Sequence, residues 1–155
     1  MALAGPRVWV DADACPAVIR QILCRAADRA QCPVTFVANH GFSLPKSPFV
    51  QLRLVPGGFD VADNEIARQV QAGDLVVTQD IPLAAEVVQA GAQAVSPRGE
   101  RFTAENVRSR LAMRDFMTEL RDSGVPTGGP PPLDASDKQR FANVLDRWLA
   151  KRPSD

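Results

Sequence analysis

The stretch "VWVDADACP" (residues 8–16) sets an apolar run against two aspartates one residue apart, then closes on a cysteine and a proline. Residues 7–10, RVWV, read as a short buried strand. Pro16 suits the first turn of a helix, where its missing N–H costs nothing. Ile19, Ile22, Leu23, Ala26 and Ala27 then recur at helical spacing as far as Ala30. The unit is therefore strand, acidic turn, helix. A strand that is apolar throughout belongs in a parallel sheet covered on both faces.

The same grammar continues along the chain. PVTFVA (33–38) and FVQLRLV (49–55) read as strands, joined through GFSLPKSP (41–48), whose Gly, Ser and Pro content marks a loop. No helix is written between these two strands, so their link is either a local pairing or a short irregular crossover. PGGFD (56–60) turns the chain into a helix running to about Ala72, with Ile66 and Val70 facing inward. DLVVT (74–78) is a fourth strand, PLAAEVVQA (82–90) a helix ended by Gly91, and AQAVS (92–96) a fifth strand. Two further helices are expected. One covers about 104–121 from a start at Thr103; the other, 136–151, begins at Ser136, where S-x-x-Q fits a capping box. Phe141, Val144, Leu145, Trp148 and Leu149 form one apolar face of the last helix. Between them, 123–135 is a loop rich in Gly and Pro. The expected fold class is α/β: one domain over 1–155 in three layers, a mainly parallel sheet with helices on both faces.

Bulk properties narrow the partners. The 155 residues are enough for one domain with a real core. The formal net charge is zero, so any nucleic-acid or membrane contact has to come from a local patch. Three cysteines (Cys15, Cys24, Cys32) are odd in number and lack paired metal-ligand spacing, which argues against a disulfide framework or a zinc site. No segment approaches membrane-spanning length, and a reducing cytoplasm is the expected location.

Open α/β sheets bind ligands beyond the carboxyl ends of their strands, where the strand order switches. Asp11 and Asp13 follow the first strand, Asp80 follows the fourth, and Asp60, Asp63 and Glu65 open the helix after the third. With the first and fourth strands as neighbours, these acids converge. Clustered carboxylates repel unless a cation lies between them. Oxygen donors without thiolate or imidazole favour Mg²⁺ or Mn²⁺ over zinc. The metal candidates are thus Asp11, Asp13, Asp60, Asp63 and Asp80, with His40 placed in a loop after a different strand. Asp60 or Asp80 could each also serve as a helix cap. Cys15 reads either as a thiolate favoured by a helix dipole or as a small buried residue completing the turn.

The motifs VDADACP, DVADNEIA, GDLVVTQDIPLAA and the GG-P segment ahead of a C-terminal helix resemble the YaiI/YqxD family of uncharacterised bacterial proteins, over nearly the whole chain. That family's fold is held to be similar to PIN-like nuclease domains, which hold Mg²⁺ or Mn²⁺ on strand-end carboxylates and cleave RNA or DNA. The resemblance implies a metal-dependent phosphodiesterase, a hydrolase, with Asp11, Asp63 and Asp80 catalytic. Asp60 or Glu65 could stand in for Asp63. Where many PIN domains carry a further acid after the fifth strand, this chain reads SPRGE. Substrate phosphates would then meet Arg98 and Arg101 after that strand, and Arg110 and Arg114, which share a helix face with Arg121; the same helix carries Glu105, Asp115 and Glu119, so a solvated face is the alternative. Two other functions fit the acids: a non-catalytic metal- or nucleic-acid-binding protein, and a haloacid-dehalogenase-type phosphatase with D-x-D at Asp11 and Asp13. Self-association is compatible with all three.

Overall fold

The computed structural model describes residues 5–57, 61–124 and 132–152. Six strands form one sheet: β1 (Val8–Asp11), β2 (Val34–Ala38), β3 (Val50–Leu54), β4 (Leu75–Val77), β5 (Gln93–Val95) and β6 (Arg101–Phe102), in the order β3-β2-β1-β4-β5-β6. All pairings are parallel except β5–β6. The helices are α1 (Ala17–Ala30), α2 (Val61–Gln69), α3 (Ile81–Gln89), α4 (Asn106–Asp122) and α5 (Ala135–Lys151).

Alternation of side chains along each strand sorts the core into two layers. Val8, Val10, Phe36 and Val77 pack with Ile19 and Leu23 of α1 and Phe141 and Trp148 of α5. Trp9, Val37 and Val76 pack on the opposite face with Ile66 of α2 and Leu83 and Val87 of α3. The three-layer α/β expectation is met. β1, β2 and β4 are buried along their whole length, whereas β3, at the sheet edge, is half exposed, which explains its alternating sequence.

The chain fills the sheet outward from β1 through β2 to β3, then returns to place β4 on β1's other side. The β2-to-β3 link is thus a crossover without a helix, since the two strands pair in parallel from Val34↔Val50 to Ala38↔Leu54. Buried Asp74 ties the amino ends of β1 and β4 together: it accepts hydrogen bonds from the Arg7 N–H (3.1 Å), the Trp9 indole (3.0 Å) and the Gln71 N–H (2.9 Å).

Several boundaries differ from the sequence reading, three of them with an evident cause or consequence. α2 ends at Gln69 rather than about Ala72. α5 starts one residue earlier than expected, and its cap is Asp134, not Ser136: Asp134 accepts from the Asp137 N–H while Asp137 accepts from the Asp134 N–H. An aspartate at the third helical position replaces the Glu or Gln of the usual box, so the S-x-x-Q match two residues on was a decoy. α4 begins at Asn106 behind a reciprocal pair in which Thr103 Oγ1 accepts from the Asn106 N–H and Asn106 Oδ1 from the Thr103 N–H. Strand β6 is two residues long and carries no periodic signal. Most of the 123–135 loop, residues 125–131, lies outside the described residues.

Candidate functional site

The switch in strand order falls between β1 and β4, and the acids of the opening stretch lie at its carboxyl end. Asp11 is the last residue of β1 and is 8% exposed. Its parity with Trp9 directs it to the α2/α3 side of the sheet. Fully buried Thr78, just past the end of β4, donates its hydroxyl to Asp11 Oδ2 at 3.0 Å and accepts the Asp80 N–H at 3.0 Å. Asp80 in turn caps α3, its Oδ1 accepting the Leu83 N–H at 2.8 Å. The capping role and the position at the cleft therefore coexist in one side chain.

Burial raises the Asp11 pKa above the ordinary carboxylate value, Thr78's hydrogen bond opposes the shift, the charges of Asp80 and Asp13 add to it, and a hydrogen bond with Asp63 lowers it. Two carboxyls that hydrogen-bond must share a proton or a cation. Asp63, in the first turn of α2, thus reaches the same point as Asp11, and Asp63, Asn64, Asp80, Glu86 and Arg114 line a cavity of about 240 Å³ beside it.

A single 3₁₀ turn, Ala12–Ala14, follows Asp11 and swings Asp13 toward the end of β2. There Asp13 Oδ2 accepts the Asn39 N–H at 3.0 Å, and Oδ1 lies 3.1 Å from His40 Nδ1. The turn is pinned across the gap by Gln79, whose side-chain amide donates to the Ala14 carbonyl at 3.0 Å. His40, set aside in the sequence reading because it follows another strand, is brought here by the β1–β2 pairing. Thr78 was the other residue missed as a site member; its signal was a polar residue closing the apolar run LVVT.

Of the five expected metal ligands, Asp11, Asp13, Asp63 and Asp80 lie among the described residues. Among the described residues, no three His, Cys, Asp or Glu side chains are grouped so as to hold a metal ion. Asp60 lies outside the described residues. Glu65 is engaged elsewhere, with Arg53 at 3.0 Å and with Arg68: burial is the largest single influence and raises its carboxyl, but the hydrogen bonds of Arg68, Arg53 and Gln69 and the charge of Arg68 together outweigh it and hold the group below the usual range. What the cleft offers is pairs of carboxylate oxygens.

The four arginines separate. Arg114 lines the carboxylate cavity and lies 3.5 Å from the Asp115 carboxylate. Arg98 pairs at 2.7 Å with the buried Asp137 that closes the α5 capping box, and Arg110 pairs with Glu100. Arg101 borders a hollow with Val144 and Trp148 on the α5 face, away from the acids. Cys15 is the small buried residue of the turn: burial pushes its thiol up to about 12, against the pull of Arg20.

A family model described as "Uncharacterized BCR, YaiI/YqxD family" matches residues 9–151. The chain belongs to the YaiI/YqxD family. Among its relatives, the "UPF0178 protein" of Halorhodospira halophila is 62% identical over 148 residues, covering 96% of this chain and 98% of that one. The protein of the same name from Marinobacter nauticus is 60% identical over 144 residues (93% and 96% of the two chains). That of Shewanella amazonensis is 59% identical over 147 residues (95% and 99%). No solved structure matches. Among the described residues of this YaiI/YqxD chain, no helix is long and apolar enough to cross a membrane.

Proposed function

We propose that this YaiI/YqxD protein is a Mg²⁺- or Mn²⁺-dependent phosphodiesterase that hydrolyses RNA or DNA at the β1/β4 cleft. The observation that carries the reading is Asp11: a carboxylate buried at the switch point, held by Thr78 and crowded by Asp13, Asp63 and Asp80. Burying like charges is unfavourable for folding. A divalent cation on Asp11 with Asp63 or Asp80 would relieve it, and when bound would supply an activated water and charge stabilisation for the leaving oxygen. Arg114 contacts a non-bridging phosphate oxygen from the cavity wall. A cleft carboxylate takes a proton from the attacking water as the water oxygen bonds to phosphorus, the ester P–O bond breaks, and the same carboxyl returns that proton to the leaving alkoxide, giving a phosphomonoester and an alcohol.

The test pairs two measurements on wild type and Asp11→Asn: cleavage of single-stranded RNA and DNA oligonucleotides with Mn²⁺, and melting temperature with and without Mn²⁺. Cleavage and a Mn²⁺-dependent rise in melting temperature, both lost in Asp11→Asn, are expected. Cleavage undiminished in the variant overturns the assignment. Arg98 and Arg110 are tied into ion pairs and Arg114 has a looser one with exposed Asp115, leaving few cations for a substrate, and this favours the second reading, a non-catalytic metal- or nucleic-acid-binding protein. A Mn²⁺-dependent thermal shift without turnover would select it. The phosphatase alternative is weakened by Asp13, whose two oxygens are engaged by Asn39 and His40 rather than set to protonate a leaving group.

A further inference from the structure

A second cavity, of about 380 Å³, lies on the α2 face toward the amino ends of the strands and is lined by Arg7, Trp9, Arg53, Gln69, Gln71 and Asp74, with Gly5 at its margin. Its size falls in the range of small-molecule sites, roughly 300–1,000 Å³, but its lining is polar. The wall is fixed before any ligand arrives. Arg53 from β3 is held over the Trp9 ring, 5.6 Å from its centroid, by an ion pair to Glu65 at 3.0 Å. Asp74, the one acid in the lining among the described residues, already accepts three N–H donors, whose dipoles offset part of its charge. Glu65 is shared between Arg53 and Arg68, so the charges around this wall, Arg7, Arg53 and Arg68 against Glu65 and Asp74, leave a net positive balance. Gln69 and Gln71 add amides that both donate and accept.

We propose that this cavity binds a phosphate monoester of mononucleotide size, its phosphate on Arg53 and Arg7 and its hydroxyl or base-edge groups on Gln69 and Gln71. Two planar cations supply paired, charge-assisted hydrogen bonds to phosphate. The amides of the two glutamines supply what a bare phosphate would leave unused. The site stands apart from the carboxylate cleft, which holds a single arginine among its acids, and it does not depend on the reading of that cleft.

The experiment is isothermal titration calorimetry on the full chain in chelator, so that no divalent cation recruits the ligand to Asp11. The probes are adenosine monophosphate, inorganic phosphate and adenosine. Adenosine monophosphate is expected to bind with a Kd below about 1 mM, tighter than phosphate, and adenosine at least about tenfold more weakly, the loss of a charge-assisted contact. Arg53→Gln is expected to weaken adenosine monophosphate about 10- to 100-fold on the same grounds, while Asp11→Asn leaves it unchanged. Should Arg53→Gln not fold, Gln69→Ala at the end of α2 tests the other half of the contact and is expected to weaken the nucleotide but not phosphate. The proposal is overturned by the absence of saturable heat with the nucleotide, by adenosine binding as well as the nucleotide, by unaltered binding in the Arg53→Gln or Gln69→Ala variant, or by loss of binding in Asp11→Asn.

Discussion

Replacing Thr78 by valine removes one oxygen and leaves the shape of the side chain almost unchanged. That oxygen has two partners. It donates to Asp11 Oδ2, a buried charge-assisted bond, and accepts the Asp80 N–H at the start of α3. Losing a hydrogen bond to a buried charged group costs about 1.5–3 kcal/mol, and leaving a half-buried N–H without its acceptor adds about 0.5–1 kcal/mol, so Thr78→Val is expected to cost about 2–4 kcal/mol. In a chain of this length each kcal/mol moves the melting temperature by about 2–4 °C, placing the variant roughly 4–16 °C below wild type. The loss also has a pH signature. Thr78's bond favours the ionised form of Asp11, so removing it raises that pKa further. The difference between variant and wild type is therefore largest near neutral pH and shrinks as acidification protonates Asp11. Urea melts at several pH values, read by tryptophan emission, give both quantities. A melting temperature within about 2 °C of wild type, or a difference that grows on acidification, would refute the reasoning that Asp11 is a buried anion held by this hydroxyl.

Asp11→Asn should act in the opposite direction on stability. Because the folded protein raises the Asp11 pKa above 3.8, ionisation of this group disfavours the folded state; stability is lost as pH rises from that value through the folded pKa, and the penalty persists at neutral pH. The asparagine variant, which can still accept from Thr78, is expected to melt higher than wild type at neutral pH in chelator, with the gap closing in acid; a lower melting temperature at neutral pH would contradict it. Asp74→Ala leaves the Arg7 and Gln71 N–H groups and the buried Trp9 indole without their acceptor and should cost about 3–6 kcal/mol by denaturant titration. Gly99→Ala meets two constraints together: φ is +85°, and a Cβ there would lie 2.5 Å from the backbone of Arg140 and Phe141. Left-handed strain and overpacking make this roughly 2–5 kcal/mol, readable as a fall in melting temperature and as loss of hydrogen-exchange protection at the start of α5.

The strand-turn-helix grammar was legible because it is local. Apolar runs of three to five residues, Pro16 at a helix start and Gly91 at a helix end depend on the chain's own backbone preferences, and they sufficed for five strands, five helices and a three-layer sheet. Short-range chemistry was also where the reading slipped. Ser136 and Gln139 satisfied the capping pattern as well as Asp134 and Asp137 did, and what separates them is Arg98 arriving from the β5–β6 turn to neutralise Asp137. The two residues of β6 needed β5 as a partner before they were a strand at all.

The site divides along the same line. That acids crowd the strand ends follows from the sequence, because the turns that carry them are each a few residues long. Which acids meet was decided by strand order: placing β4 against β1 brings Thr78 under Asp11 and Asp80 beside it, while placing β2 on the other side brings His40 to Asp13. The arginines were the least legible, since a long cationic side chain goes to whatever anion the tertiary structure offers. Arg98 and Arg110 found carboxylates of their own, Arg101 turned to the far face, and Arg114 came to the cavity with Asp115 beside it. A carboxylate at a strand end is positioned by its own backbone; a guanidinium five bonds from its backbone is positioned by its neighbours.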